Sequence, residues 1–176
     1  MNNKYITAFA PASIGNVAVG FDMLGLAIKG AGDRVSVRKV NEEGIFIKEI
    51  YDQAGNPHKD LSKKSDENTA SIAAEALWGA EGGQGGIEML IHKGIPLQSG
   101  MGSSAASAVA GAVAVNALLD QPLSTEKLMK YALEGEKYAS GDIHADNVAP
   151  SLFGGMVFCP PSYLPKTTSV EVPKSI

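Results

Sequence analysis

Residues 96–106, PLQSGMGSSAA, hold the densest set of positions suited to chemistry in this chain. Gly100 and Gly102 lack a Cβ, so their backbone can take positive φ and lie close to a ligand. Ser103 and Ser104 stand where a helix should begin, a position that hydroxyl side chains favour. From Ala105 to Leu119 the run is mostly Ala and Val, and Gly111 is its one weak helix former. A glycine loop feeding a helix start gathers unpaired backbone N–H groups, and the helix dipole adds partial positive charge. The guest that suits such a cradle is a phosphate.

Two kinds of phosphate loop can be weighed on spacing. A Walker A loop needs Lys directly after its last Gly, and Ser103 stands there instead. A dinucleotide fingerprint, G-x-G-x-x-G/A, is matched by residues 100–105, with Asp120 downstream at a plausible distance. That acid should close a second apolar strand, yet it follows the helix with no strand between and Pro122 comes next. The apolar strand before the loop also ends at His92, several residues early, which counts against a dinucleotide-dependent oxidoreductase.

Two further stretches carry polar groups at suggestive spacing. Residues 11–22, PASIGNVAVGFD, place Asn16 and Asp22 in a glycine-rich loop, where an Asx pair by itself means a turn. Residues 141–150, GDIHADNVAP, offer His144, Asp146 and Asn147: a metal site without a second cluster, a dyad in which Asp146 orients His144, or a helix N-cap. Glu136 lies beside the buried face of a helix, where a glutamate is usually just solvated. Asn68 and Lys93 sit where they could line a nucleotide pocket. His58 and His92 match no motif, Cys159 sits in an apolar strand and reads as core, and no G-x-S-x-G elbow supports a serine hydrolase.

The elements that must position these groups follow from periodicity. Strands are predicted over 5–10, ending at Pro11, and over 34–40, preceded by a Gly30–Gly32 turn; residues 11–28 read as loop. Further strands fall at 44–50, 87–92, 154–159 and 169–172. Ser65 or Asp66 should cap a helix reaching Trp78, Ser103 or Ser104 the Ala-rich helix, and Ser124 or Thr125 a helix to Ser140 that Gly141 ends. A short helix should follow the polar segment at 142–152. The Ala-rich helix must be central, because small side chains permit close packing on all sides.

Composition limits the classes of function. The chain has 176 residues, enough for one full core or one domain and part of another. Net charge is −4 without a basic cluster, which argues against a nucleic-acid partner. The opening residues lack the apolar core of a signal peptide and the longest apolar run is too short and Ala-rich for a bilayer, so a cytoplasmic protein with no membrane partner is expected. The single Cys159 cannot form an internal disulfide. Oligomeric state is open, with a homodimer allowed.

Residues 96–106 resemble the ATP loop of the GHMP small-molecule kinases, P-x-x-x-G-[LM]-G-S-S-A-[AS]. Residues 11–22 are similar to that family's N-terminal motif in the form seen in homoserine kinases, with Ala18 in place of a usual Gly, and residues 141–150 resemble the H-x-D-N-x-x-P segment of the same branch. The resemblance implies an α+β fold like that of the ribosomal protein S5 domain 2, a mixed sheet packed with helices. Residues 1–154 would form the ATP-binding domain, and 155–176 would open a truncated second one. It implies ATP and Mg²⁺ as cofactors and L-homoserine as substrate. ATP contacts would come from Pro96, Leu97, Gln98, Ser99, Gly100, Met101, Gly102, Ser103, Ser104, Ala105 and Ala106, with Asn68 and Lys93 at the pocket wall. Ser104 and Glu136 would hold the metal, and Asn16, Asp22, His144 and Asn147 the amino-acid acceptor, with Asn16, Asp22 and Glu136 serving catalysis. Another GHMP kinase and a non-catalytic nucleotide-binding relative are the alternatives. The 176-residue form is expected to be a poor catalyst alone, because the family's third glycine motif and basic substrate-binding residues are not in it.

Overall fold

The computed structural model describes residues 4–141 and 144–172. The strands are β1 (Ile6–Ile14), β2 (Leu24–Val40), β3 (Ile45–Tyr51), β4 (Gly86–His92), β5 (Met156–Phe158) and β6 (Thr168–Val170). The helices are α1 (Thr69–Ala80), α2 (Ser103–Asn116), α3 (Thr125–Ser140) and α4 (Ala145–Phe153). All six strands form one mixed sheet in which only β3 and β4 run parallel. That arrangement is an α+β fold, and it removes the dinucleotide reading, which needs consecutive parallel βαβ units.

The long β2 is the spine. It pairs with β1 along much of its length, with β4 over Arg34–Val40 and with β5 at its start. One face of the sheet alternates Ala8, Ala10, Ala12, Val35, Val37, Ile87, Met89 and Ile91 into the core. The other face carries Arg34 over the Phe9 ring, Arg38 over Tyr5, and an Arg38–Glu88 ion pair at 2.8 Å.

Two local expectations fail here for one reason. The strand predicted to stop before Pro11 continues to Ile14, and the predicted Gly30–Gly32 turn is strand. Between the pairs Pro11↔Gly32 and Ser13↔Ala27, two steps of β1 face five of β2, so β2 bulges outward. The bulge spares Pro11 a ladder bond it could not donate, and Gly30 absorbs it with φ +89. Helix α1 also starts later than expected: residues 65–67 form a separate 3-10 turn, and the Asn68 Oδ1 accepts the Ala70 N–H at 3.1 Å as the actual cap.

Helix α2 is central, as its composition requires: 11 of its 14 residues are buried, and it touches α1, α3, α4, β1 and β2. Gly111 lets the α1 backbone come within van der Waals reach, since a Cβ there would overlap the Ala70 carbonyl. Helix α3 is amphipathic, with Leu128, Tyr131, Ala132 and Gly135 inward, and Gly141 ends it in a left-handed conformation. No helix among the described residues is long and apolar enough to cross a membrane.

Candidate active site

The glycine loop leaves β4 and turns into α2 through Gln98, Gly100 and Gly102, all at positive φ. Gly102 is the N-cap of α2, so Ser103 and Ser104 are its first residues. The N–H groups of that first turn have no intrahelical partner, which is the feature an anion needs. The loop is fixed to the sheet by the Ser13 N–H, which donates to the Met101 carbonyl at 3.1 Å. A Cβ on Gly102 would run into the Ser13 Oγ and Asn147 Oδ1, so close approach as well as φ demands glycine there.

Beside the loop lies a cavity of about 480 Å³. Its lining brings together many of the expected nucleotide residues: Asn68, Lys93, Leu97, Gln98, Ser99, Gly100, Gly102, Ser103 and Ser104, with Glu136 and Asn147. Pro96 faces a smaller neighbouring cavity of about 280 Å³. Met101, Ala105 and Ala106 line neither; the two alanines are fully buried under the loop.

Glu136 comes from α3, and its Oε1 accepts the Ser104 hydroxyl at 3.0 Å. Its other oxygen, Oε2, is buried with no hydrogen-bond partner among the described residues. Burial raises the Glu136 carboxyl above its ordinary range, while the Ser104 hydroxyl pulls it back. A buried carboxylate oxygen without a donor is costly, and a cation would remove the cost. One hydroxyl and one carboxylate are hard oxygen donors, which suits Mg²⁺ with its remaining positions on water and phosphate. Ser104 and Glu136 therefore fit the metal expected of them.

The second polar group gathers on the far side of Asn147. Asn16 and Asp22 sit at φ 53 and 54, and the Asn16 Oδ1 accepts the Asp22 N–H at 3.0 Å. His144 Nδ1 lies 3.5 Å from the Asp22 Oδ1. Asp146, 1 % exposed, accepts the Asn16 N–H at 2.8 Å, and ligand atoms of Asp22, His144 and Asp146 lie within 4.8 Å of one another. Neither Asp146 nor Asn147 caps α4, whose N-cap is His144 without a side-chain bond. Asn147 instead takes the Ser13 hydroxyl at 3.0 Å and also lines the cavity, so it joins the two halves. Asp142 and Ile143 of the same motif lie outside the described residues.

Residues that sequence reasoning passed over hold this arrangement together. Asp33 and Ser107 are buried beside Lys93, and Thr69 donates its hydroxyl to the Ser104 carbonyl at 3.1 Å. The one Asp of β2, beside Arg34, and a Ser inside the alanine run of α2 were the available signals. Cys159 is buried and donates to the Met23 carbonyl at 3.4 Å, and burial pushes its thiol up to about 12, consistent with a core role. His92 stacks on Tyr51, and the His58 Nδ1 accepts the Asp60 N–H.

A glycine loop, a serine–glutamate pair at its helix start and this sheet order define a class. A sequence profile of the GHMP kinases N terminal domain matches residues 68–155, and the chain belongs to that family. Within it, the chain is 45 % identical over 168 residues to a homoserine kinase of Xanthomonas campestris, covering 96 % of this chain and 50 % of that one. It is 47 % identical over 152 residues to a homoserine kinase of Xylella fastidiosa, 86 % of this chain and 46 % of the relative. Among solved structures, a homoserine kinase from Cytophaga hutchinsonii superposes with a TM-score of 0.88 at 40 % identity, over 98 % of this chain and 54 % of that one. The Methanococcus jannaschii mevalonate kinase shares the fold, with a TM-score of 0.73 at 15 % identity over 98 % of this chain and 57 % of that one. The chain spans about half the length of the curated relatives it matches.

Proposed function

We propose that this chain supplies the nucleotide site and part of the acceptor site of a homoserine kinase, which transfers the γ-phosphoryl of ATP to the L-homoserine hydroxyl and releases ADP and O-phospho-L-homoserine. The observation that carries the reading is the position of Asn147. It stands between a phosphate-sized cradle and a cluster containing two carboxylates, Asp22 and Asp146, which suits an ammonium-bearing acceptor. Mevalonate and galactose have no ammonium for such a cluster to meet. The likeness to homoserine kinases at 40–47 % identity supports the same substrate.

In this reading the α2 N–H groups and the loop 98–104 bind and orient the phosphates. Bound Mg²⁺, held by Ser104 and Glu136, would neutralise charge on the transferring group. Phosphoryl transfer depends mainly on positioning and electrostatics, so no strong base is required. Asn16 would orient the acceptor hydroxyl, Asp22 and His144 would hold its amino-acid end, and Asn147 would keep the acceptor in line with the phosphate. Residues 1–154 form the nucleotide-binding unit of the proposal, and β5 and β6 continue its sheet from β2.

The test is a coupled ADP-release assay on the protein carrying this chain, with homoserine, mevalonate, galactose and shikimate in turn. A preference for homoserine is expected, with the 176-residue form alone far slower. Release with another acceptor and none with homoserine overturns the substrate; release with none overturns the kinase.

A further inference from the structure

Beneath the phosphate loop lies a buried polar network that neither half of the site uses directly. Lys93, 5 % exposed, is the first residue after β4. Its ammonium donates to the Asp33 Oδ2, to the Ser107 Oγ at 2.6 Å and to the Ser103 carbonyl at 3.0 Å. Those are three acceptors for three N–H bonds, so the ammonium is saturated from within the protein. Asp33, fully buried on β2, takes the Ser107 hydroxyl at 2.7 Å, while its Oδ1 takes the N–H groups of Gly94 and Ile95 at 2.9 and 3.2 Å. The network thus reaches the first two residues after Lys93 and the first turn of α2, the two ends between which the glycine loop is strung.

On the nucleotide-site reading above, we infer that Asp33, Lys93 and Ser107 act as a staple that positions the phosphate cradle: Lys93 serves the loop and helix start rather than the nucleotide, although it lines the cavity. The physical reason is geometric. The cradle works only if the N–H groups of the first α2 turn converge on one point, and the Ser103 carbonyl fixes the peptide plane that carries the Ser104 N–H. Burial pulls the Lys93 ammonium below its ordinary range and Asp33 opposes that, so removing one partner would leave the other buried and uncompensated. Exchanging both for neutral groups avoids that cost while still removing the donor to Ser103.

The experiment measures binding of a fluorescent ADP analogue, thermal stability and amide exchange at residues 103–105 in wild type, Ser107→Ala, Lys93→Met and the double variant Asp33→Asn/Lys93→Met. Expected is analogue binding by wild type, melting of Lys93→Met well below it, and recovery of most of that loss in the double variant. The double variant should still bind about 10- to 100-fold more weakly, with faster exchange at 103–105, because the cradle is displaced rather than unfolded. Ser107→Ala, which favours the helix, should fold normally and bind several-fold more weakly; it keeps the test decisive if Lys93→Met does not fold. Equal affinity in wild type, Ser107→Ala and the double variant overturns the staple. A folded wild type that binds no nucleotide overturns the site itself, and the staple with it.

Discussion

The two halves of the site are built on opposite principles. The nucleotide half takes its left-handed backbone mainly at Gly100 and Gly102, and rests on the buried Asp33, Lys93 and Ser107. The acceptor half takes the same backbone at Asn16, Ala18 and Asp22, with φ of 53, 52 and 54. Its tip is open to solvent, with Val19 91 % and Phe21 70 % exposed, and it is tied down by Asp146, which accepts the Asn16 N–H, and by the Val17 N–H, which donates to the Leu24 carbonyl at 3.0 Å. A non-glycine residue in that region costs about 1–2 kcal/mol. Asn16 and Asp22 recover part of it through the local bond between them, whereas Ala18 has no side chain with which to do so. The cradle proposed for the phosphates takes that cost at Gln98 alone among its left-handed residues, and it is stapled from beneath. The loop proposed to meet the acceptor carries it at three positions, as functional loops often do.

The comparison can be broken most forcefully at Gly102. Gly102→Ala adds a Cβ against Ser13 and Asn147 at φ +63, so turnover should fall at least 100-fold and stability by about 2–4 kcal/mol, read by ADP release and urea unfolding. Unchanged activity would mean that the cradle is not the phosphate site.

Glu136→Gln tests the metal side of the same half. Turnover should drop on the order of 100-fold and lose its dependence on Mg²⁺. Stability should move the other way in metal-free protein. Burial holds the folded carboxyl above the ordinary glutamate value of 4.5, so the folded state keeps this proton longer than the unfolded chain. Stability of the wild type therefore falls as pH rises from about 4.5 through the raised folded value, and Glu136→Gln removes that fall. Urea midpoints should match below pH 4.5 and favour the variant at neutral pH.

Asp146→Ala acts mainly on the acceptor half. Losing the acceptor of the Asn16 N–H should cost about 1–3 kcal/mol and raise the homoserine KM, while nucleotide affinity stays near wild type. An equal loss in both would show that the halves are not separable. The smallest effect belongs to Ala18→Gly, which should raise stability by about 0.5–1 kcal/mol, a melting shift of roughly 2 °C, by releasing strain that no bond repays.

How much of this was legible in the sequence differs between the halves in the same way. The cradle could be read from residues 96–106 because glycine spacing and a helix start are local properties, although Gly102 caps α2 in place of the serine expected there, and Ser103 and Ser104 are its first two residues. The Ser104–Glu136 pair came only through family resemblance, since 32 residues separate them and an α3 glutamate beside a buried face looks like any other. The staple was invisible: Asp33 stands beside Arg34 in a strand with other polar residues, Ser107 is one small hydroxyl in an alanine run, and their meaning appears only when β2, β4 and α2 are packed together. The course of β1 and β2 misled because Pro11 and Gly30 signal a break in isolation, whereas a bulge matched across two paired strands absorbs both.

The central claim is that the cavity between residues 97–104 and Glu136 is a Mg²⁺-dependent ATP site. Calorimetric titration of ATP into this chain, with and without Mg²⁺, in wild type and Glu136→Gln, tests it most directly. Saturable one-to-one binding that Mg²⁺ tightens about tenfold or more in wild type, and leaves unchanged in Glu136→Gln, is the predicted result. No binding, or binding indifferent to both Mg²⁺ and the substitution, would contradict it.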